Sequence, residues 1–501
     1  MDLDPDACHR AISTRDARFD GRLFTGVKTT GIYCRPICPA RTPKRENVVF
    51  FASAAAAQAA GFRPCLRCRP ETSPDLAAWR GVSNTVSRAL ALIEAGALDA
   101  ADVDALAGRL GVGERQLRRL FRQHLGASPV AVAQTRRVLL AKQLIHETHL
   151  SMAQVALASG FGSIRRFNET FQTLYGRPPG ALRSGSAAEV ELQDDDVLSI
   201  RLAYRPPYDW DAMIAFLALR AIPGVEMIRD GGYARTIALG QTCGLIEAWP
   251  LAGNRLGVRI RFPRLSALPT IIARVRGLFD LAADPQAIAA HLAEDLALAP
   301  LVAARPGLRI PGAWDGLELA IRAILGQQIT VGAATVLAGK LVAGYGEALP
   351  PDLAGRVEGL THLFPEASVL AAADLSTLGM PRTRGAALSA VAEAVLSDPL
   401  IFATGASLDE AIGRLKALPG IGEWTAQYIA MRQLREPDAF PHGDIGLMRA
   451  LADADGRRPS AAELLARAEA WRPWRAYAAL HLWASETSTF IPEISHDRTA
   501  A

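Results

Sequence analysis

The chain has 501 residues, too many for one hydrophobic core, so we expect two to four domains. No apolar run is long and charge-free enough to span a membrane, and the first residues lack the layout of a signal peptide. The net charge of +4 hides an asymmetry, because residues 1–185 hold 26 Lys and Arg against 15 Asp and Glu, whereas the remainder holds 29 against 36. These features predict a cytoplasmic protein without a membrane partner, whose basic front half binds nucleic acid.

Four of the six cysteines form two close pairs, Cys34/Cys38 and Cys65/Cys68. In a cytoplasmic chain this spacing favours a metal over disulfides, and four thiolates suit a tetrahedral Zn²⁺ ion. The spacing alone also fits a zinc knuckle that only stabilises a small domain. The two remaining cysteines stand apart and are predicted to be structural.

The residues around these cysteines, TTGIYCRP, RENVVF and AAGFRPCLRC, resemble the zinc domain of the Ada family of the adaptive response to alkylation. The resemblance implies that residues 1–80 form this domain and that Cys34 accepts a methyl group from a methylphosphotriester in DNA. It also implies DNA-backbone contacts by Thr30, Arg41 and Arg63. A zinc-bound thiolate is deprotonated at neutral pH, so it can attack a methyl carbon without a separate base. Methylation removes one negative charge, which should weaken repulsion from DNA and favour sequence-specific binding.

Residues 81–185 contain two helix-turn-helix patterns, with recognition helices predicted from Glu114 to His124 and from Ser163 to Leu174. The candidate contacts to base edges or phosphates are Arg115, Arg118, Arg119, Arg165 and Arg166. A charged helix face of this kind also fits a merely solvated surface. The tandem arrangement, with the core GFGSIRRFNETF, resembles the AraC-type regulator domain. The resemblance implies promoter binding and transcription activation, with RNA polymerase as a partner.

A small, polar and acidic segment at residues 186–197 is predicted to be a linker. Strand patterns in VLSIRLAY, YARTIAL, GLIEAWP and RLGVRIRF then predict a small antiparallel sheet with one or two helices over residues 198–276. Residues 277–501 are rich in Ala and Leu and are predicted to be helical. The chain is therefore predicted to be multidomain and mostly α, with small α+β parts.

The stretch 418–422, LPGIG, lies between two apolar patterns of helical period. Pro419 ends the first helix, and Gly420 and Gly422 let the backbone approach a ligand closely, so the start of the second helix can bind a phosphate. Asp444 follows about twenty residues later, before another helical pattern. Such a hairpin also occurs in DNA-binding proteins without catalysis, and an Asp before a helix is usually an N-cap.

The hairpin, the Asp444 region and the motifs YRPPYDW, YART, AIRAILGQQ and WRPWRAYAALHLW together resemble the AlkA-type 3-methyladenine glycosylases of the helix-hairpin-helix superfamily. The resemblance covers nearly all of the back half and implies an all-α glycosylase core in which Asp444 is catalytic. It also implies DNA contacts by Gly420 and Gly422, and a wedge at Gln328 that fills the vacated stack. The implied aromatic base pocket consists of Phe216, Trp424, Tyr428 and Trp483, each of which also fits ordinary core packing.

This combination of residues suits the excision of alkylated bases. A base alkylated at N3 or N7 is cationic and a good leaving group, but it must be extruded from the duplex first. Aromatic rings can hold it by cation–π attraction of about 0.5–2 kcal/mol per ring, and a carboxylate can stabilise the oxocarbenium-like transition state. Trp424 occupies the position of the Schiff-base Lys of strand-cutting relatives, and no Lys follows Lys416, so a monofunctional glycosylase is predicted. The lack of cysteines after Cys243 also excludes the carboxy-terminal iron–sulfur cluster of other relatives.

Two positions depart from the family pattern. Gln328 stands where a bulky apolar wedge is common, and Ala484 follows Trp483 where an aromatic residue can stand. Both put the base preference in question. The resemblance also leaves open a monovalent cation at the hairpin carbonyls. No PCHRV-like motif is present, so repair of O6-alkylguanine is not predicted. The competing prediction is a transcription activator whose back half binds DNA without catalysis.

Overall fold

The computed structural model describes residues 4–74, 84–183, 197–403, 407–453 and 455–486. The chain divides into two compact units. The amino-terminal unit comprises Met1–Tyr204, Leu251–Arg276 and Leu281–Ala283, and the carboxy-terminal unit comprises Arg205–Pro250, Gly277–Asp280 and Asp284–Ala501. The finer division into residues 1–80, 81–185, 186–197, 198–276 and 277–501 stays a prediction. Apart from residue 197, its linker lies outside the described residues.

Helices dominate the described residues, as the sequence predicts. In chain order they are α1 (Pro5–Ser13), α2 (Ala54–Ala59), α3 (Asn84–Glu94), α4 (Ala97–Ala100), α5 (Val103–Arg109), α6 (Glu114–Leu125), α7 (Pro129–Glu147), α8 (Met152–Ala158), α9 (Ile164–Tyr175), α10 (Trp210–Ala218), α11 (Leu268–Leu278), α12 (Pro285–Leu292), α13 (Leu298–Ala304), α14 (Gly316–Leu325), α15 (Val331–Tyr345), α16 (Ala367–Ala372), α17 (Arg382–Ser397), α18 (Leu408–Lys416), α19 (Glu423–Arg432), α20 (Ile445–Ala450), α21 (Ala461–Ala468) and α22 (Arg475–Ser485). Short 3-10 turns lie at Ala17–Phe19, Arg45–Asn47, Pro70–Thr72, Pro179–Leu182, Leu265–Ala267, Leu375–Leu378 and Glu469–Trp471. The strands are β1 (Phe24–Val27), β2 (Ile32–Cys34), β3 (Val48–Phe51), β4 (Arg63–Pro64), β5 (Leu198–Ala203), β6 (Glu226–Arg229), β7 (Gly232–Leu239), β8 (Thr242–Leu251) and β9 (Arg255–Arg261). Among the described residues, no helix is long and apolar enough to cross a membrane.

A small sheet brings the two cysteine pairs together. Its strand order is β3-β1-β2-β4, antiparallel except between β2 and β4. Cys34 ends β2, and Cys65 directly follows β4. The Cys65 amide donates a hydrogen bond of 3.0 Å to the Tyr33 carbonyl, which continues the pairing into the cysteine loop. The Tyr33 ring is fully buried beside Phe24, so the apolar face of the sheet fixes the metal-binding loops.

The tandem helix-turn-helix region is organised around α7. Ser128 caps this helix by accepting a hydrogen bond from the Ala131 amide at 3.2 Å, and Pro129 occupies the first turn, where no backbone donor is needed. Helices α5 and α6 form one helix-turn-helix pair, and α8 and α9 form the other. The predicted recognition helices correspond to α6 and α9 within one residue at each end.

The predicted antiparallel strands are present. In the amino-terminal unit β5 pairs with β9, and in the carboxy-terminal unit β7 pairs with both β6 and β8. Strand β6, which follows Pro223-Gly224, was not predicted. The remaining helices of the carboxy-terminal unit include α18 and α19, which flank the predicted hairpin, and α20, which begins directly after Asp444.

Candidate active site and zinc centre

A cavity of about 380 Å³ in the carboxy-terminal unit collects the residues predicted to excise a base. Its lining includes Asp444 and all four predicted aromatic residues, Phe216, Trp424, Tyr428 and Trp483. Trp424 and Tyr428 lie four residues apart on α19, so both point to one face of that helix. Their rings stack with centroids 5.0 Å apart and an angle of 14° between the planes. The wall therefore offers a flat, electron-rich surface to a planar ligand.

Asp444 both caps a helix and faces this cavity. Its Oδ1 accepts hydrogen bonds from the Leu447 amide at 3.0 Å and from the Trp483 indole Nε1 at 3.0 Å. Its Oδ2 accepts a hydrogen bond from the Trp424 indole Nε1 at 2.8 Å. The N-cap role and the active-site role thus belong to the same half-buried side chain. Three N–H donors fix the direction of the carboxylate, which is the preorganisation that a charge-stabilising group requires.

Two arginines that the sequence analysis missed cover the ring of Phe216. The guanidinium carbon of Arg220 lies 3.8 Å from the centre of this ring, and that of Arg432 lies 4.8 Å from it. Arg432 also donates hydrogen bonds to the Tyr428 hydroxyl and to the carbonyl of Gly312. Burial would raise the pKa of Tyr428, but the positive charges of Arg432 and Arg220 outweigh it, so the pKa lies below its ordinary value. The guanidinium carbon of Arg432 also lies 5.1 Å from the centre of the Tyr428 ring, so arginines lie against the rings of both Phe216 and Tyr428.

A buried ion-pair cluster completes the wall of the cavity. Arg235 contacts Glu318 at 2.6 Å, and Arg322 contacts Glu318 at 2.7 Å as well as Glu226. Burial would raise the pKa of Glu318, but the two arginines overcome this effect and lower the pKa to about 2. The acids and arginines neutralise one another, so they contribute shape and rigidity more than net charge.

The hairpin has the features expected of a phosphate site. Gly420 has φ of +80°, and a Cβ there would lie 2.7 Å from the Ala387 Cβ, so this position requires glycine. Gly422 has φ of −85°, which any residue adopts, and a Cβ there would meet nothing. Gly422 is nevertheless the N-cap of α19 and has no side chain to cap it. The first amides of α19 are therefore left for another acceptor, such as a DNA phosphate. A cation at the hairpin carbonyls stays a prediction.

Gln328 lies in the loop between α14 and α15, is exposed, and has φ of +62°. The structure thus places the predicted wedge on an exposed loop with an unusual backbone conformation.

The four predicted cysteine ligands converge in the amino-terminal unit. Their Sγ atoms all lie within 4.8 Å of one another, as a tetrahedral site of four thiolates requires, so the donor set fits Zn²⁺. Cys65 and Cys68 are buried, whereas Cys34 and Cys38 are half-buried. This difference leaves the first pair more accessible to a substrate.

Backbone hydrogen bonds distinguish Cys34 from the other three ligands. Cys65 Sγ accepts from the Arg67 and Cys68 amides at 3.3 and 3.5 Å, and Cys68 Sγ accepts from the Arg35 amide at 3.4 Å. Cys38 has a backbone hydrogen bond with Ala40. In the described part of the chain, no amide reaches Cys34 Sγ. N–H donors stabilise a thiolate and reduce its nucleophilicity, so this difference is the one expected if Cys34 is the methyl acceptor, a role that stays a prediction.

Hydrogen bonds connect the residues around the four cysteines directly to α7. Lys142 on α7 is fully buried, and its Nζ donates hydrogen bonds of 2.7 Å to both the Cys65 carbonyl and the Glu71 carboxylate. A second link runs from Thr135 through Gln58 to the Tyr33 hydroxyl, with bonds of 3.1 and 3.0 Å. The helix that joins the two helix-turn-helix motifs therefore touches the residues next to the metal ligands.

The remaining predicted DNA contacts lie where DNA can reach them. Six of them are solvent-exposed: Thr30, Arg41, Arg115, Arg119, Arg165 and Arg166. Arg63 and Arg118 are half-buried. Two of the arginines form ion pairs along their own helix, Arg118 with Glu114 and Arg165 with Glu169. DNA must compete with these pairs, which are weak at an exposed surface. The roles of all eight residues stay predictions.

Three family models match the chain in consecutive parts. Residues 7–71 match the metal binding domain of Ada, residues 106–185 match a helix-turn-helix domain, and residues 199–315 match the AlkA N-terminal domain. These matches confirm the predicted zinc, helix-turn-helix and glycosylase resemblances.

Curated relatives cover the same parts. The chain is 42% identical over 485 residues to the probable bifunctional transcriptional activator/DNA repair enzyme AlkA of Mycobacterium tuberculosis. This match covers 96% of this chain and 97% of that protein. It is 38% identical over 289 residues to DNA-3-methyladenine glycosylase 2 of Escherichia coli, spanning 57% of this chain and 96% of that protein. It is 31% identical over 182 residues to the bifunctional transcriptional activator/DNA repair enzyme AdaA of Bacillus subtilis, spanning 36% of this chain and 83% of that protein. The chain therefore belongs to the family of bifunctional transcriptional activator/DNA repair enzymes that join Ada-type zinc and helix-turn-helix regions to an AlkA-type glycosylase.

Proposed function

We propose that this protein excises N3- and N7-alkylated bases from DNA as a monofunctional glycosylase, and that it also senses DNA methylation through Cys34. The observation that carries the first activity is the fixed carboxylate of Asp444 beside the stacked rings of Trp424 and Tyr428. This arrangement supports an enzyme over a back half that only binds DNA.

The positions of these residues support the following order of steps in base excision. The hairpin holds the DNA backbone while Gln328 fills the gap that the extruded nucleotide leaves. The cationic base stacks on the rings of Trp424 and Tyr428, which attract its charge. As the bond between C1′ and the base nitrogen breaks, the bonding electrons leave with the base and neutralise it. The Asp444 carboxylate stabilises the positive charge that develops on the sugar. Water adds to C1′ and releases a proton to the solvent, which leaves an abasic site.

Release of free 3-methyladenine from methylated duplex DNA tests this activity. The wild type should release the base without cutting the strand, and Asp444→Asn should lose the activity while its affinity for DNA is retained. Asn keeps an oxygen for the Leu447 and Trp483 donors but turns its NH2 group towards the Trp424 indole, so the loss reports the negative charge together with that hydrogen bond. Release that survives the substitution would reject Asp444 as the catalytic residue.

The second activity rests on the distinct environment of Cys34 among the four ligands. Bound Zn²⁺ keeps the thiols deprotonated at neutral pH. The Cys34 sulfur attacks the methyl carbon of a methylphosphotriester, an S–C bond forms, the C–O bond breaks, and the phosphodiester leaves as an anion. The product is a thioether, so each chain transfers one methyl group.

Transfer of a labelled methyl group from methylphosphotriester DNA to the protein tests this step. We expect one label per chain in the wild type and none in Cys34→Ala. Labelling of Cys38 in the wild type, identified by peptide mass, would contradict the assignment of Cys34.

We further infer that methylated protein binds promoter sites through α6 and α9 and activates transcription by contacting RNA polymerase in the cytoplasm. The exposed arginines of the two recognition helices support promoter binding. A tenfold or larger rise in promoter affinity after methyl transfer, measured at fixed salt, is the expected result. Equal promoter affinity before and after transfer would refute the sensing function.

A further inference from the structure

The backbone of the wedge is held in a conformation that needs external support. We call residues 326–330, between α14 and α15, the wedge loop. Gln328 in this loop has φ of +62°, a region that residues other than glycine seldom adopt. Such a conformation persists only where surrounding contacts determine it.

Those contacts come from the preceding residue, Gln327. Its carboxamide Nε2 donates a hydrogen bond of 2.8 Å to the Gly420 carbonyl in the hairpin and one of 3.3 Å to the Thr425 hydroxyl on α19. Its backbone carbonyl accepts a hydrogen bond of 2.7 Å from the Arg384 guanidinium on α17. One residue therefore joins the wedge loop to three other segments.

The joined segments are the ones that must act together during extrusion. Gly420 belongs to the turn that we assign to the DNA backbone, and Thr425 follows Trp424 in the base pocket. We propose that Gln327 is a positioning residue for base extrusion, which fixes the wedge loop to the hairpin so that backbone grip and insertion of Gln328 occur as one rigid unit. This inference rests on the proposed base excision, and it assigns no contact between Gln327 and the reacting atoms.

The carboxamide is the chemical group that this position requires. The side-chain nitrogen Nε2 donates both hydrogen bonds, so the side chain at this position must carry a donor. Gln327→Glu would point a carboxylate at the Gly420 carbonyl, and Gln327→Met would keep the length of the side chain without any donor. Arg384→Met would remove the support of the backbone carbonyl while leaving the carboxamide in place.

The test compares two synthetic duplexes under single-turnover conditions with the full-length protein. Each duplex contains one 7-methylguanine, either paired with cytosine or placed opposite an abasic analogue, where extrusion costs less. Gln327→Met should slow excision of the paired lesion about tenfold to a hundredfold, the scale of a misplaced positioning contact. Excision of the unpaired lesion should slow by no more than about threefold, because less work of extrusion is needed. Gln286→Ala, on an exposed side chain of α12, is the matched control and should match the wild type on both duplexes.

A double-mutant cycle with Gln328→Ala separates positioning from general damage. If Gln327 acts through the wedge, the double variant should lose little more than Gln328→Ala alone. The inference would be overturned if Gln327→Met slowed excision equally on both duplexes. It would also be overturned if the loss in the double variant equalled the sum of the two single losses in activation free energy. If thermal unfolding shows that Gln327→Met is poorly folded, Arg384→Met provides a second variant. It should also slow excision of the paired lesion more than that of the unpaired lesion, by a smaller factor. An inactive wild type on both duplexes would instead refute the proposed glycosylase.

Discussion

The two indole donors to Asp444 allow a sharp test of preorganisation. Trp424→Phe removes the hydrogen bond of 2.8 Å to Oδ2, and Trp483→Phe removes the bond of 3.0 Å to Oδ1. Phenylalanine keeps an aromatic ring in each place, so stacking of a bound base is largely preserved. The substitutions therefore change the support of the carboxylate more than the affinity for the base.

The expected magnitude follows from the kind of hydrogen bond that is lost. A hydrogen bond to a charged group contributes about 1.5–3 kcal/mol, which corresponds to about a 10- to 150-fold change in rate if all of it is expressed in the transition state. We expect the single-turnover rate constant at saturating enzyme to fall by about this factor for Trp424→Phe, with little change in the affinity for the damaged duplex. The double variant leaves Asp444 with only the Leu447 amide and should be slower still.

Single-turnover excision from a methylated duplex is the assay, and Trp471→Phe is the matched control. Trp471 also donates its indole hydrogen to an aspartate, Asp295, at 2.8 Å, but both residues lie outside the lining of the cavity. Loss of this hydrogen bond in Trp471→Phe should lower the free energy of unfolding and leave the excision rate of the folded protein unchanged. A Trp424→Phe enzyme with the wild-type single-turnover rate, or one slowed no more than Trp471→Phe, would refute the role assigned to the indole donors.

Three further predictions concern stability and DNA binding. Burial lowers the pKa of His481 to about 4, so the contribution of the neutral imidazole to stability is complete above pH 6.5 and is lost as the pH falls towards 4. In urea unfolding, the wild type should lose about 3 kcal/mol more free energy of unfolding than His481→Gln over this pH range. Equal losses in the two proteins would contradict the prediction. Lys142→Met removes the ammonium partner of the buried Glu71 carboxylate, which keeps its ion pair with Arg69 at 2.9 Å, so the loss should be about 1.5–3 kcal/mol. The double variant with Glu71→Gln should recover part of this loss, and no recovery would argue against the pair. Arg166→Ala should reduce the slope of log promoter affinity against log salt by about 1 if Arg166 binds a phosphate; an unchanged slope would exclude that contact.

Local patterns in the sequence were sufficient to predict much of the site. Pro419 and Gly420 mark the hairpin because each acts on the backbone of its own turn, and the spacing of Trp424 and Tyr428 places both on one helix face. The cysteine spacing likewise predicts the metal site, since four ligands in two close pairs restrict the arrangement. These features depend little on distant parts of the chain.

Features that depend on long-range packing were missed. Arg220 and Arg432 lie four residues after Phe216 and Tyr428, a helical spacing that could have placed them in the cavity, but a sequence does not show that a guanidinium will cover a ring. Lys142 has the sequence appearance of a surface charge, and its burial depends on Glu71, far away in the chain. Strand β6 was missed because its four residues are too few for a clear alternating pattern.

We propose that one chain contains two separate chemistries, base excision at Asp444 and methyl transfer at Cys34. The most direct test measures both activities for two variants, Asp444→Asn and Cys34→Ala, on DNA that contains both lesions. We predict that Asp444→Asn transfers one methyl group per chain but releases no 3-methyladenine, and that Cys34→Ala releases the base at the wild-type rate but takes up no methyl group. Loss of both activities in either folded variant, or of neither, would refute the assignment of the two chemistries to Asp444 and Cys34.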